Sequence, residues 1–287
     1  MDQNGYITSN GLNLYYEIHG SGLPIILLNG GPGFPHGYLH ELKSLAANNK
    51  LVFFDQRGTG LSDKTNPENY TIAANVRDVE ALRQQLNLGD VIVFGHSWGG
   101  MLAQAYVLEH PNHVAKLILA DTFSSSADID IALARMRASV PDEIEQIYIK
   151  YERAGLYQDR DTYPLEYQEA LQVAYEPVSL AVPPPEYLEN VFSKLAYDVY
   201  RVMWGEETEF KITGTLAGFD VFGRLGEIKA PTLVIVGAQD MPSVDMAHKT
   251  ANSIPGAKLV VFEHSRHYPF IEEPDRFIAV MREFLQS

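Results

Sequence analysis

The stretch Gly95-His96-Ser97-Trp98-Gly99-Gly100 limits what this chain can fold into more than any other. It directly follows the apolar run Asp90-Val91-Ile92-Val93-Phe94 and opens a segment with helical character, Met101 to Glu109. G-x-S-x-G in that setting is a nucleophile elbow, a strand that turns sharply into a helix with serine at the apex. The turn forces Ser97 into a strained conformation, and glycines two before and two after it let strand and helix approach each other. Its hydroxyl is then expected at a helix N-terminus, where N–H groups and the helix dipole favour developing negative charge. Without its flanks, the pentapeptide reads as well as a tight turn that contains a serine.

Leu12 to Ile18, Pro24 to Leu28, Lys50 to Phe54, Asp90 to Phe94 and Val114 to Ala120 read as strands. Helical patterns fall between them, above all Thr71 to Leu86. There Ile72, Val76, Val79, Leu82 and Leu86 recur on one face, with Thr71 as N-cap. Continuous apolar strands alternating with helices imply a mostly parallel sheet covered on both faces. The pattern returns late, with strands at Pro231 to Val236 and Lys258 to Phe262 and a closing helix from Pro274 to Leu285. From about Phe123 to Phe222 the strand runs vanish and the chain turns helical, acidic and tyrosine-rich. Nine of the 16 tyrosines lie there, Tyr157 among them, and Pro183-Pro184-Pro185 divides the segment. The expected organisation is an α/β core of residues 1–122 and 223–287 with an inserted helical cap, residues 123–222. The cap should sit over the C-terminal edge of the sheet, where α/β proteins bind ligands.

At 287 residues the chain is long enough for such a core and cap. Thirty-seven acidic against 22 basic residues give a formal charge of −15, which repels nucleic-acid phosphates and anionic membrane surfaces. No apolar run approaches the ~20 residues that span a bilayer. Met1-Asp2-Gln3-Asn4-Gly5 has neither the basic nor the apolar region of a secretory signal. The lack of cysteine excludes disulfides and thiolate metal sites and accords with a cytoplasmic setting. The expected partner is a small molecule or short peptide, and dimerisation through the aromatic cap is left open.

A serine hydroxyl is a poor nucleophile near neutrality unless a base takes its proton and an acid orients that base. The elbow template places the acid and then the histidine on loops after late strands. Asp240 closes Gly237-Ala238-Gln239-Asp240 after one such strand, and His267 lies between the strand ending at Phe262 and the last helix. His264 is the rival histidine, while His96, inside the elbow, reads as structural. Asp121, after Ala120, is the alternative acid, and its other reading is a cap or turn residue. Oxyanion donors are expected from the Trp98 amide and from the loop Asn29-Gly30-Gly31-Pro32-Gly33, where Gly31 is assigned. Asp55-Gln56-Arg57-Gly58-Thr59-Gly60-Leu61-Ser62 lacks G-K-[ST] and G-x-G-x-x-G, so it reads as a structural turn rather than a phosphate loop. No H-E-x-x-H and no Cys/His cluster occurs, so no catalytic metal is expected.

These motifs resemble the proline iminopeptidase branch of the α/β-hydrolases over nearly the whole chain. The segment Met203-Trp204-Gly205-Glu206-Glu207-Thr208-Glu209-Phe210 and the following Ile212 to Thr215 are similar to that family's cap. The resemblance implies the α/β-hydrolase fold, a Ser-His-Asp acyl-enzyme mechanism and no cofactor. It also implies removal of an N-terminal residue, often proline, from short peptides or amides, with paired glutamates gripping the substrate ammonium. Glu209 fits the cap glutamate, with Trp204 at the amine end; the position after Asp240 is the uncharged Met241, and Glu206 or Glu207 are candidate substitutes. Asn29 stands where the family usually has histidine, and it joins Glu209 and Trp204 as a substrate-binding residue. The alternative is an esterase, lactonase or amino-acid amidase with the same triad, favoured by Met241 and the aromatic cap. Dehalogenases and epoxide hydrolases need an aspartate where Ser97 stands. A ligand receptor on a hydrolase scaffold is the third reading, and an intact triad argues against it.

Overall fold

The computed structural model describes residues 2–156 and 163–287, so Tyr157 lies outside the described residues. Its strands are β1 Gln3–Ser9, β2 Leu12–Gly20, β3 Leu23–Leu28, β4 Asn49–Phe54, β5 Val91–His96, β6 Val114–Ala120, β7 Thr232–Gly237 and β8 Lys258–Phe262. They form one sheet in the order β1-β2-β4-β3-β5-β6-β7-β8. β1 with β2 and β2 with β4 are antiparallel pairs; every later neighbour is parallel. This is the α/β-hydrolase fold. Several boundaries move by a residue or two from the sequence pattern, and those at the elbow matter most. β5 runs on to His96 because Gly95 and His96 pair with Leu119 and Ala120, and the following helix, α2 Trp98–Glu109, starts directly after Ser97.

Alternate residues of the central strands enter two separate cores, which is why their apolar runs are unbroken. Ile26, Leu28, Val91 and Val93 pack with Val76, Val79 and Leu82 of helix α1, Ile72–Gln85. Ile25, Leu27, Ile92 and Phe94 pack with Tyr38 and Leu42 of a 3-10 stretch, His36–Ala47, and with Phe277 of the closing helix, Pro274–Gln286. Each fully buried aliphatic side chain contributes roughly 1.5–3 kcal/mol. The Thr71 hydroxyl accepts the Ala74 amide at 3.2 Å and caps α1. The turn after β4 is clamped from within. Arg57 donates to both carboxylate oxygens of Asp78, at 2.7 and 2.8 Å, and Asp55 accepts the Leu61 amide at 2.8 Å.

Between β6 and β7 the described residues form five α-helices: α3 Ser126–Arg137, α4 Asp142–Ala154, α5 Leu165–Ser179, α6 Glu186–Phe192 and α7 Tyr197–Trp204. Arg137 pairs with Glu145 and Glu152, tying α3 to α4, and Tyr148 Oη donates to the Ala170 carbonyl, tying α4 to α5. Backbone bonds fasten this insertion to the core, from Ala196 N to Gly33 O at 2.9 Å and from His267 N to Ser179 O at 3.1 Å. Among the described residues no helix is long and apolar enough to cross a membrane. The loops carrying Gly31, Ser97, Asp121, Asp240 and His267 all leave the C-terminal ends of strands β3, β5, β6, β7 and β8.

Candidate active site

Ser97 has φ 55° and ψ −125°, a conformation that costs of order 1–3 kcal/mol and persists only where its surroundings hold it. Its amide donates to Ala120 O at 3.0 Å, and its carbonyl accepts from Thr122 Oγ1 at 2.6 Å. The tightness of the elbow explains its glycines. A Cβ on Gly95 would lie 2.3 Å from Gly99 O, and one on Gly99 would lie 2.0 Å from Leu28 O. Both are impossible contacts.

A cavity of about 380 Å³ lies between sheet edge and helical insertion, and Ser97, Gly31, His267, Met241, Trp204 and Glu209 all line it. Asp240 lies behind, 4% exposed, with its Oδ1 2.7 Å from His267 Nδ1. That bond commits Nδ1 and leaves Nε2 for proton transfer. Among the described residues the Ser97 hydroxyl forms no hydrogen bond with His267, a contact that often tightens only when substrate binds. Burial holds the His267 ring below its ordinary pKa, so it is neutral near pH 7.

A directional chain of hydrogen bonds supports the two halves of the site. The Gly30 amide donates to Tyr38 Oη at 2.5 Å, that hydroxyl to His96 Nδ1 at 2.9 Å, and His96 Nε2–H to the His267 carbonyl at 2.8 Å. This order requires a neutral His96, and burial with the nearby His267 pushes its pKa well down. Gly30 is therefore spent on Tyr38, Pro32 has no N–H, and Gly31 is the amide of this loop left beside Ser97. Trp98 is buried, its indole donating to Gln56 Oε1 at 2.6 Å, while Gln56 Nε2 donates to the Asn29 carbonyl at 2.9 Å.

Asn29 is a correction to the expected binding set. It is fully buried and does not line the cavity; its Nδ2 donates to Phe34 O at 2.6 Å. It shapes the glycine loop instead of touching a ligand. His264 is exposed, and its amide donates to Glu273 at 3.1 Å. Asp121 is fully buried at φ 52°, and its Oδ1 accepts the Gly237 amide at 3.0 Å. The second oxygens of Asp121 and Asp240 would each be buried without a donor if both groups were ionised. Burial pushes the pKa of both carboxyls well up, and each acts on the other, so the pair keeps one proton between them. Asp240 is the better anion because His267 Nδ1 and the Met241 amide, at 2.5 Å, both serve its Oδ1. Burial and the Asp240 charge push the Asp121 pKa well up, so Asp121 carries the proton.

Glu209 is the one carboxylate lining the cavity among the described residues, and no lysine or arginine lines it. It is 4% exposed. Tyr163 donates to Oε2 at 2.6 Å, Tyr175 to Oε1 at 2.9 Å, and Tyr200 also to Oε1. Burial pushes its pKa up and the phenols oppose that. Trp204 stacks on Tyr200 at 5.6 Å, and its indole donates to the Glu209 carbonyl at 3.0 Å. Glu206 and Glu207 are exposed, and Glu206 pairs with Arg201. The reading from sequence did not single out Tyr38, Gln56 or the phenols around Glu209. Tyrosine enrichment in the insertion was a signal for the phenols alone, since Tyr38 and Gln56 lie outside it.

The chain matches the alpha/beta hydrolase fold family over residues 24–274. A proline iminopeptidase of Saccharolobus solfataricus is 33% identical over 99% of this chain and 93% of its own length. Among solved structures, the crystal structure of VinJ superposes with a TM-score of 0.90 at 30% identity, covering 99% of this chain and 98% of VinJ. The proline iminopeptidase of Mycobacterium smegmatis superposes at 0.86 with 26% identity, over 99% and 98% of the two chains.

Proposed function

The chain belongs to the alpha/beta hydrolase family, among relatives named proline iminopeptidase, and we propose that it is a serine hydrolase releasing an N-terminal proline or small apolar residue from short peptides or amides. The observation that carries this reading is Glu209, a buried carboxylate without a basic partner among the described residues, in the same cavity as Ser97 and His267. A carboxylate offers about four lone-pair positions and three phenols occupy three, which leaves one for a charged N–H. A buried anion is costly alone, and a substrate ammonium compensates it.

In this mechanism His267 Nε2 takes the Ser97 proton as Oγ attacks the substrate carbonyl. The amides of Trp98 and Gly31 receive the developing oxyanion, each worth about 3–4 kcal/mol. His267 then protonates the leaving amine, and water releases the acyl group by the same route. Asp240 keeps the proton of the imidazole on Nδ1 throughout. Turnover of proline p-nitroanilide against its N-acetyl derivative tests the reading. Acetylation should abolish turnover, and equal rates would refute amine recognition. Met241, apolar and lining the cavity beside Asp240, favours the second reading, an esterase or amidase for uncharged acyl groups. Short p-nitrophenyl esters cleaved far faster than any aminoacyl anilide would establish it.

A further inference from the structure

Away from the cavity, imidazoles converge on one carboxylate where β2 meets the 3-10 stretch His36–Ala47. His19 Nε2 lies 3.2 Å and His40 Nε2 3.1 Å from Glu17 Oε2, and one ligand atom from each residue lies within 4.8 Å of the others. We propose that Glu17, His19 and His40 form a binding site for a divalent transition-metal ion, zinc by preference, with water completing the coordination.

Glu17 and His19 are two residues apart in a strand and so share a face. Glu17 Oε2 lies 3.1–3.2 Å from a nitrogen of each ring, near the ~3.3 Å edge of a tetrahedron built from zinc bonds of ~2.0–2.1 Å, and the two rings each offer a nitrogen within 4.8 Å of the other. The supporting groups are also present. His19 Nδ1 lies 3.2 Å from Asp2 Oδ1, the carboxylate–histidine arrangement that orients a ligating ring. His36 Nε2 lies 3.5 Å from Glu17 Oε1 while its Nδ1 meets Asp55 at 2.8 Å, so His36 steadies the other oxygen and leaves Oε2 to the ion. The rings of His19 and His40 pack edge-on against the buried Phe53, at 5.7 and 5.1 Å, which fixes them before an ion arrives. Side-chain exposures of 20% for Glu17 and 32% for His40 leave a path from solvent. Two imidazoles with one carboxylate select zinc, nickel or copper over magnesium or calcium. None of the three residues lines the cavity, so the ion is structural, pinning β2 to the segment that carries Tyr38.

The test is calorimetric titration of the tag-free, chelator-stripped full chain with Zn²⁺, supported by the visible spectrum with Co²⁺. The expected result is one ion per chain with a tetrahedral cobalt spectrum. Affinity should fall at least about tenfold in His40→Ala and in Glu17→Gln, since loss of even an outer-shell partner typically costs about 10- to 100-fold. Exposed His248→Ala should bind as the parent does. His40→Gln replaces His40→Ala if the latter loses its far-ultraviolet circular dichroism. No stoichiometric binding, or binding untouched by the Glu17 and His40 substitutions, overturns the proposal.

Discussion

Replacing Glu209 by glutamine removes one negative charge from the cavity at nearly constant volume. Oε1 takes two phenol donors and Oε2 takes one, so the amide oxygen can keep the Tyr175 and Tyr200 bonds while the Tyr163 hydroxyl turns to accept from the amide N–H. The cage survives and the charge does not. A hydrogen bond to a charged group is worth about 1.5–3 kcal/mol. No lysine or arginine lines the cavity to complicate the balance among the described residues. At 1.36 kcal/mol per decade, kcat/KM for proline p-nitroanilide should fall roughly 10- to 150-fold. Hydrolysis of p-nitrophenyl butyrate, which carries no amine, should be unchanged, and Glu206→Gln, at an exposed ion pair, should leave both rates alone. The measurement is kcat/KM for both substrates across the three proteins. An equal loss on ester and anilide would mean that Glu209 supports the architecture, and no loss on the anilide would remove it from amine recognition.

Because burial depresses the His267 pKa, the protonated ring accumulates only in acid. kcat/KM should be level through neutrality and fall below roughly pH 6.5, and a fall already complete above pH 7 would contradict the neutral base. Asp240→Asn should lower kcat by about 10⁴-fold by spoiling the imidazole tautomer. Asp121→Asn, whose amide can still donate to Asp240, should retain most activity, and the reverse ranking in the same assay would make Asp121 the acid. Asp78→Ala strands the buried Arg57 charge and should cost about 3–5 kcal/mol in urea unfolding; a change under about 1 kcal/mol would show the clamp to be incidental.

The parallel strands were legible because burial on both faces writes them as unbroken apolar runs, Ile25 to Leu28 and Val91 to Phe94. β1 was not, since Gln3–Ser9 has a single deeply buried apolar residue, Ile7, and owes its place to pairing with β2. The Asn10-Gly11 turn that joins them, both residues at positive φ, was the available hairpin signal. Asp240 and His267 were readable because they sit just past strands with clear patterns. The link from Gly30 through Tyr38 and His96 to His267 joins residues up to 171 positions apart, and no local pattern announces such a bond. Asn29 was misjudged for the same reason. Its position in the glycine loop was clear, but the direction of its side chain, toward Phe34 O, depends on packing.

Labelling with a fluorophosphonate, followed by digestion and mass spectrometry, tests the central claim most directly. A single adduct on Ser97, absent in Ser97→Ala and formed far more slowly in His267→Ala, is the outcome that a serine activated by this histidine requires. An adduct on another residue, or none on the folded protein, would contradict it.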